Sequence, residues 1–205
     1  MQVVIEILEY IKDKKVLYVG CLGDYKRYSR TNYEDWNFLV YQKYCKSILG
    51  TDINIEGLNL INDKFNVVYD DIENSNINDV FDIIIFLDVI EHLYNIGKAF
   101  KNFKKLLKEE GKLLILTPNP YYVPNIVKAL CGNIGRISNE HTSWLVPKHL
   151  ENLTLKHSFK IKKIYYINLV DKRNIYLKIK SKLYNFISFF NKKLSSHFLF
   201  IITNN

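Results

Sequence analysis

Apolar runs of four to six residues recur along the first half of the chain, and between them lie stretches whose apolar residues fall at helical spacing. The pattern predicts a helix over about Val3–Lys12, then a strand Val16–Val19 that stops at Gly20. A helix is expected near Tyr33–Lys46, a strand over Ser47–Thr51 that ends at Asp52, and a helix over about Ile55–Asn62. The next strands are Phe65–Tyr69, ending at Asp70 and Asp71, and Asp82–Leu87, ending at Asp88. A helix over about Ile96–Lys108, with Gly111 as its stop, leads to a strand Lys112–Leu116 that ends at Thr117 and Pro118. Further on, a strand is expected over Lys160–Leu169, a long helix over about Lys172–Lys192 and a last strand over His197–Thr203. The last strand has an edge-like composition that also suits an antiparallel insertion.

The strands are continuous apolar runs, not alternating ones, which is the pattern of a parallel sheet covered on both faces. Strand–helix alternation implies right-handed crossovers and a doubly wound α/β sheet. Ligands of such sheets sit beyond the carboxyl ends of the strands. Here those ends carry Gly20, Asp52, Asp71, Asp88 and Thr117. One aspartate at a strand end is commonly a helix cap; a set of them at one edge points to a ligand.

Composition narrows the classes. The 205 residues suit one domain, 1–205, and no linker or repeat divides them. No apolar run approaches the ~18 residues of a membrane-spanning helix. The N-terminal stretch reads as an amphipathic helix, not a signal peptide. Cys21, Cys45 and Cys131 lie far apart without a CxxC pair, which argues against zinc and disulfide frameworks and for a cytoplasmic setting. The net charge of +8 is uneven. No acidic residue follows Asp171, whereas Lys172, Arg173, Lys178, Lys180, Lys182, Lys192 and Lys193 do. This basic amphipathic segment, about 172–193, suits a phosphate-rich partner or weak contact with an anionic membrane surface. The more ordinary reading turns Tyr184, Phe186, Phe189 and Phe190 toward the core and the lysines toward water.

The strand ends fit a nucleoside ligand with vicinal hydroxyls. A glycine loop lets backbone approach closely, an acid after the second strand can accept both ribose hydroxyls, and an acid after the third can accept from a purine amine. A dinucleotide would want G-x-G-x-x-G, but the loop reads Gly20-Cys21-Leu22-Gly23-Asp24-Tyr25 and sets a carboxylate where pyrophosphate would lie. A cationic ligand tolerates that acid better.

In order and spacing, "VLYVGCLG", "ILGTDINIEGL", "VVYDDIEN", "FDIIIFLDVIEHL", "GKLLILTPNP" and "EHTSWLVPKHLENLTLKHSFKI" resemble class I S-adenosylmethionine-dependent methyltransferases. The resemblance implies a Rossmann-like, seven-stranded sheet, mostly parallel with the last strand antiparallel. It implies that Gly20, Cys21 and Gly23 line the methionine end of S-adenosylmethionine. By the same resemblance Asp52 holds the ribose, Ile53 packs on the adenine, Asp71 and Ile72 meet the adenine edge and face, and Leu87 and Asp88 flank the sulfonium region. Family members usually carry an acid where this chain has Tyr18 and a glycine where it has Leu22.

Methyl transfer from a sulfonium needs alignment above all, and an oxygen acceptor can need a base. Candidates are His92 and His141, with Glu91 as an orienter. The bland alternatives are a helix start at "EHL" for His92 and a loop histidine bound to backbone for His141. Asp88, Glu91, His92 and His141 also resemble the metal-binding set of small-RNA 2′-O-methyltransferases, and similar residues occur in quinone-precursor O-methyltransferases. Many relatives with this pattern use no metal, and none is assigned. The segment 119–147, with Trp144 and "PNPYYVPNIVKAL", is the expected acceptor lid. These features together suggest O-methylation of a small-molecule or glycan-linked acceptor. Nucleic acid is a lesser partner, through RNA ribose methylation with a divalent metal. A non-catalytic cofactor-binding subunit is the third alternative.

Overall fold

The computed structural model describes residues 2–23, 25–26, 33, 36–61, 64–132, 140–170 and 175–205. Seven strands form one sheet: β1 (Lys15–Val19), β2 (Ser47–Asp52), β3 (Val67–Tyr69), β4 (Phe81–Leu87), β5 (Leu107–Pro118), β6 (Phe159–Ile167) and β7 (His197–Asn204). Their order is β3-β2-β1-β4-β5-β7-β6. Strands β1 to β5 pair in parallel, and β7 runs antiparallel to both of its neighbours. The helices are α1 (Gln2–Ile11), α2 (Asn37–Gln42), α3 (Ile55–Ile61), α4 (Ile96–Leu106), α5 (Val123–Leu130), α6 (Pro147–Lys156) and α7 (Ile175–Phe190).

Period-two alternation explains why the strands read as unbroken apolar runs. On β4, Ile83, Ile85 and Leu87 enter the core beneath α1, together with Ile7, Ile11, Trp36, Phe38 and Tyr41. Ile84 and Phe86 enter the opposite core, against Phe100, Phe103 and Leu106 of α4 and Leu150 of α6. With both faces covered, Ile83 to Leu87 of β4 are all buried, and the first polar residue after them is Asp88, past the strand end.

Three expectations are corrected. Gly111 does not stop a helix: α4 ends at Leu106, and Leu107 is already extended and paired with Phe81. The register then shifts before Ile83 pairs with Lys112. Gly111 lies where the chain folds tightly on itself, for a Cβ there would sit 2.8 Å from the Leu107 side chain and 3.0 Å from the Asp82 carbonyl oxygen. Strand β7 is the antiparallel insertion that its composition suited: it lies between β5 and β6, with Phe198 to Ile202 buried. Among the described residues, the helix expected near Tyr33–Lys46 forms over Asn37–Gln42. On α7, Phe186, Phe189 and Phe190 face solvent instead of the core. The sequence pattern also left α5 and α6 unassigned, although a proline in the first turn marks both.

Candidate active site

The registers Val19↔Thr51, Asp52↔Tyr69, Val19↔Phe86 and Leu87↔Leu116 bring five strand ends to one edge. They open onto a cleft of about 1130 Å³, ample for a drug-sized ligand, whose pockets run ~300–1,000 Å³. Gly20, Gly23, Asp52, Ile53, Asp71, Ile72, Leu87, Asp88 and His92 all line it, as does Tyr18. So do Val3 and Val4 of α1 and Leu169 beyond β6, which the sequence pattern did not bring to the site. Asp52, Asp70, Asp71, Glu73, Asp88 and Glu140 contribute carboxylates, and among the described residues no lysine or arginine lines the cleft.

Gly20 turns the chain out of β1 with φ +69°, and a Cβ there would run into the Val89 side chain. Cys21 does not line the cleft: its buried side chain packs toward Gly50, and burial pushes its thiol pKa up. Its carbonyl accepts a 2.6 Å hydrogen bond from Trp36 Nε1, which pins the loop to the aromatic cluster of Trp36, Phe38 and Phe65. Leu22 is buried as well, in a space left by Gly57 of α3. A leucine is therefore accommodated at this loop position without filling the cleft. Asp24 lies outside the described residues.

Asp52 is held before any ligand arrives. Its Oδ2 accepts from the Leu22 amide and its Oδ1 from the Asn54 amide, each at 3.0 Å. Each carboxylate oxygen keeps a second acceptor direction. Asp71 caps the short 3₁₀ turn Ile72–Asn74 by accepting from the Glu73 amide at 2.9 Å. Glu73 in turn accepts from the amides of Tyr94 and Asn95, both at 2.8 Å, and so ties this turn to the start of α4. The neighbour Asp70 is more buried than Asp71; its Oδ1 accepts from the Asn76 amide, while its Oδ2 is buried without a partner. The Asp70-Asp71 doublet signals two carboxylates at this end, but only the fold shows which one turns inward.

Asp88 adopts φ +52°, a left-handed conformation that a non-glycine residue holds at a cost of about 1–2 kcal/mol. Its side chain is 45 % exposed, into the cleft. Desolvation by the surrounding protein, and then the nearby Glu91 carboxylate, raise its pKa above the ordinary carboxylate range. His197, at the start of β7, stands with Nε2 3.7 Å from Asp88 Oδ1. Burial pushes His197 down to about 4, so it is neutral at neutral pH. Its position opposite Pro118 on β5 follows from the antiparallel register, which no local motif announces.

Glu91, His92 and His141 come together, as the spacing of their motifs alone could not establish. "EHL" forms a 3₁₀ turn, Ile90–His92, not the start of an α-helix. Glu91 is buried, accepts from Thr117 Oγ1 at 3.2 Å and has its pKa raised by desolvation. Its backbone carbonyl accepts from the amides of Thr142 and Ser143, which fastens the segment after Glu140. His92 Nδ1 lies 3.2 Å from the Glu140 carbonyl oxygen. The rings of His92 and His141 meet edge to face with centroids 4.7 Å apart, and desolvation lowers the pKa of His141. Ligand atoms of Glu91, His92 and His141 lie within 4.8 Å of one another. Asp88 is not part of that group.

A seven-stranded sheet with one antiparallel strand, and an acid-rich, base-poor cleft at its carboxyl edge, define a nucleoside-cofactor enzyme of the methyltransferase class. A family model described as a methyltransferase domain matches residues 30–164, and the chain belongs to that family of S-adenosylmethionine-dependent enzymes. Among curated proteins it is similar to the ubiquinone biosynthesis O-methyltransferase of Rickettsia akari, at 26 % identity over 108 residues. That match covers 50 % of this chain and 43 % of the relative, so the chain spans under half the length of this curated protein. Among solved structures it resembles a SAM-dependent methyltransferase from Archaeoglobus fulgidus, with TM-score 0.68, 16 % identity, and coverage of 100 % of this chain and 92 % of that one. It also resembles an S-adenosylmethionine-dependent methyltransferase from Mesorhizobium loti, with TM-score 0.63, 12 % identity, and coverage of 98 % and 95 %.

The residues present fit the cofactor of this class. Its sulfonium and amino groups are cationic, and the cleft is lined by acidic residues, with no described lysine or arginine to repel them. Gly20 lines the cleft beside Asp88, and its missing β-carbon leaves the space that the Val89 side chain fills.

Proposed function

We propose that this chain methylates an oxygen atom of a small-molecule or glycan-linked acceptor in the cytoplasm. One observation carries the reading: an acid-lined cofactor cleft has an imidazole, His92, in its wall. In this reading Gly20 and Gly23 let backbone approach the methionine end, and Asp52 accepts from the ribose hydroxyls. Ile53 and Ile72 sandwich the adenine, Asp71 meets its edge, and Leu87 and Asp88 border the reacting methyl. S-adenosylmethionine supplies a methyl group on a sulfonium whose leaving group is a neutral thioether. The segment 119–147, of which 133–139 lie outside the described residues, is the acceptor lid in this reading, and 1–205 acts as one methyltransferase domain.

His92 is the base. Its Nδ1 faces the Glu140 carbonyl oxygen at 3.2 Å, and a carbonyl can only accept, so in the neutral ring Nδ1 carries the proton. Nε2 then has its lone pair available to take the acceptor hydroxyl's proton. Glu91 and Thr142 hold the turn and the segment against each other, as positioning residues. The O-methyltransferase name of the Rickettsia relative agrees with an oxygen acceptor.

The test combines calorimetric titration with methyl transfer from labelled S-adenosylmethionine to a panel of simple catechols and hexoses. Asp52→Ala should abolish cofactor binding. His92→Ala should leave binding intact and lower turnover ~10²–10⁴-fold, the range of a lost general base. Unchanged turnover in His92→Ala would remove the base role. Binding without turnover on any probe would favour a non-catalytic partner subunit.

A second reading is favoured by one feature: Glu91 Oε1 and His141 Nδ1 are both buried without a partner, within a three-ligand cluster. In it Glu91, His92 and His141 hold Mg²⁺, Mn²⁺ or Zn²⁺, and Lewis acidity takes the place of a base. RNA ribose methylation would then join the acceptors. Turnover indifferent to chelator, and to Glu91→Gln, would dismiss it.

A further inference from the structure

Helix α7 is built inside out. Among its residues whose side chains are described, Ser181 and Ser188 are the buried ones, and Asn185 is half-buried beside them. Asn168 Nδ2 donates to Ser188 Oγ at 2.8 Å, Ser188 Oγ donates to the Asn185 carbonyl at 2.8 Å, and Asn185 Nδ2 donates to the Leu169 carbonyl at 3.2 Å. The helix is thus docked on the body by polar contacts. Ile175, Ile179, Leu183, Phe186, Phe189 and Phe190 point away from the body and are between 59 % and 77 % exposed. At about 100° per residue they share one face, with Lys178 on one flank, Lys180 on the other and Lys182 within the face itself. Lys192 and Lys193 follow just past the helix end.

A face of this size demands a cover, because soluble chains seldom leave contiguous aromatic patches in water. The cover can be identified by its chemistry. No acidic residue occurs after Asp171, so a second copy of the helix laid face to face would set lysine flanks against lysine flanks without compensation. An anionic lipid surface matches both features, taking the aromatic and aliphatic side chains into its interface and the lysines at headgroup level. No described helix is long and apolar enough to cross a membrane, which leaves α7 to lie along one. On the opposite side of α7, Tyr184 meets Tyr122, the residue before α5, with ring centroids 6.2 Å apart.

We propose that α7 is an interfacial helix that seats its apolar face in an anionic lipid surface. Leu169 lines the cleft and its carbonyl accepts from Asn185, so α7 is anchored to the body beside the cleft. The docking holds whatever the acceptor proves to be.

Co-sedimentation of the full chain with vesicles tests it, using phosphatidylcholine alone and phosphatidylcholine mixed with phosphatidylglycerol. The wild type should bind the mixed vesicles at least tenfold better than the neutral ones. Each of Lys178→Gln, Lys180→Gln and Lys182→Gln should weaken that binding roughly fivefold. The triple change Phe186→Ser, Phe189→Ser and Phe190→Ser should abolish it, with the circular dichroism spectrum and calorimetric S-adenosylmethionine binding unchanged. No binding by the wild type would overturn the proposal, as would equal binding to both vesicle types or full binding by the phenylalanine variant. A wild-type dimer that this variant renders monomeric, with vesicles ignored, would assign the face to a second copy instead. Should the triple variant not fold, the lysine series decides by itself.

Discussion

Helices α4 and α7 are written in much the same alphabet of Lys, Phe, Ile, Leu and Asn, yet they face opposite ways. On α4, Ala99, Phe100, Phe103 and Leu106 are buried and Lys98, Lys101, Lys104 and Lys105 are exposed. On α7 the serines are inward and the phenylalanines outward. Amphipathicity alone says that a helix has two faces; it does not say which one meets the body. The neighbours decide. α4 lies over a sheet face offering Phe86, Leu113, Ile115 and Phe200, whereas α7 lies on Asn168 and the Leu169 carbonyl.

The largest effect that would break the contrast is in α4. Phe103 is fully buried and packs edge to face on Phe86 at 5.1 Å and on Phe100 at 5.7 Å. Phe103→Ala should cost ~3–5 kcal/mol, read from urea unfolding. A cost under about 1 kcal/mol would mean that α4 is not the inward-facing partner described here.

A pH experiment probes the inner end of the C-terminal stretch. His197 titrates near 4 in the folded chain, against an unfolded value of about 6.5. Between those values the unfolded chain binds more protons. His197 therefore contributes stability that is complete above about pH 6.5 and is lost as the pH falls toward 4. The full difference is of order 1–3 kcal/mol. Asp88 has the opposite sign: its raised pKa gives stability at low pH that is lost as the pH rises. Subtracting the melting curves of His197→Gln from those of the wild type isolates the histidine. A variant that loses stability as steeply as the wild type below pH 6.5 would show that His197 is open to water.

These helices also mark how far the sequence could be read. The cleft-forming strand ends, Gly20, Asp52, Asp71 and Asp88, were legible because each closes a stretch that the sequence pattern marks as a strand. The meeting of Glu91 with Thr117, and of His92 with His141, was not, since each partner lies on a separate segment. Nor was the inward turn of Asp70, which depends on one extra residue after a three-residue strand. His197 reaches Asp88 only because β7 inserts beside β5, a pairing between residues far apart in the chain. Gly111 resembled a helix stop because a glycine after lysines and glutamates commonly is one. What placed it was the tight fold-back against Leu107, a contact with no local signature. For α7 the periodicity gave the helix and its two faces, but their direction was set by Asn168 and Leu169, which lie outside it.

A smaller effect sharpens the contrast at Ser188. On a water-facing helix, serine to alanine is close to neutral or mildly stabilising. Here Ser188 is buried and bonded to Asn168 and to the Asn185 carbonyl. Ser188→Ala should cost about 1 kcal/mol, and Asn168→Ala should cost little more once Ser188 is gone. Additive losses in that double-mutant cycle would mean that the two residues do not hold α7 jointly.

The smallest effect is the most diagnostic. Phe186→Ser changes a large apolar residue to a small polar one, a substitution that would be severe on α4. On α7 it should move unfolding stability by no more than about 0.5 kcal/mol, because Phe186 is already in water in the isolated chain. Its intrinsic helix propensity is close to that of serine, so the backbone supplies no compensating loss. A single Phe190→Ser should behave alike, with a small coupling to its neighbours, because its ring centroid lies 5.4 Å from that of Phe186 and 5.7 Å from that of Phe189. Destabilisation by several kcal/mol in either variant would show that this face is covered within the chain. The contrast with α4 would then collapse, and with it the reason for seeking an external surface.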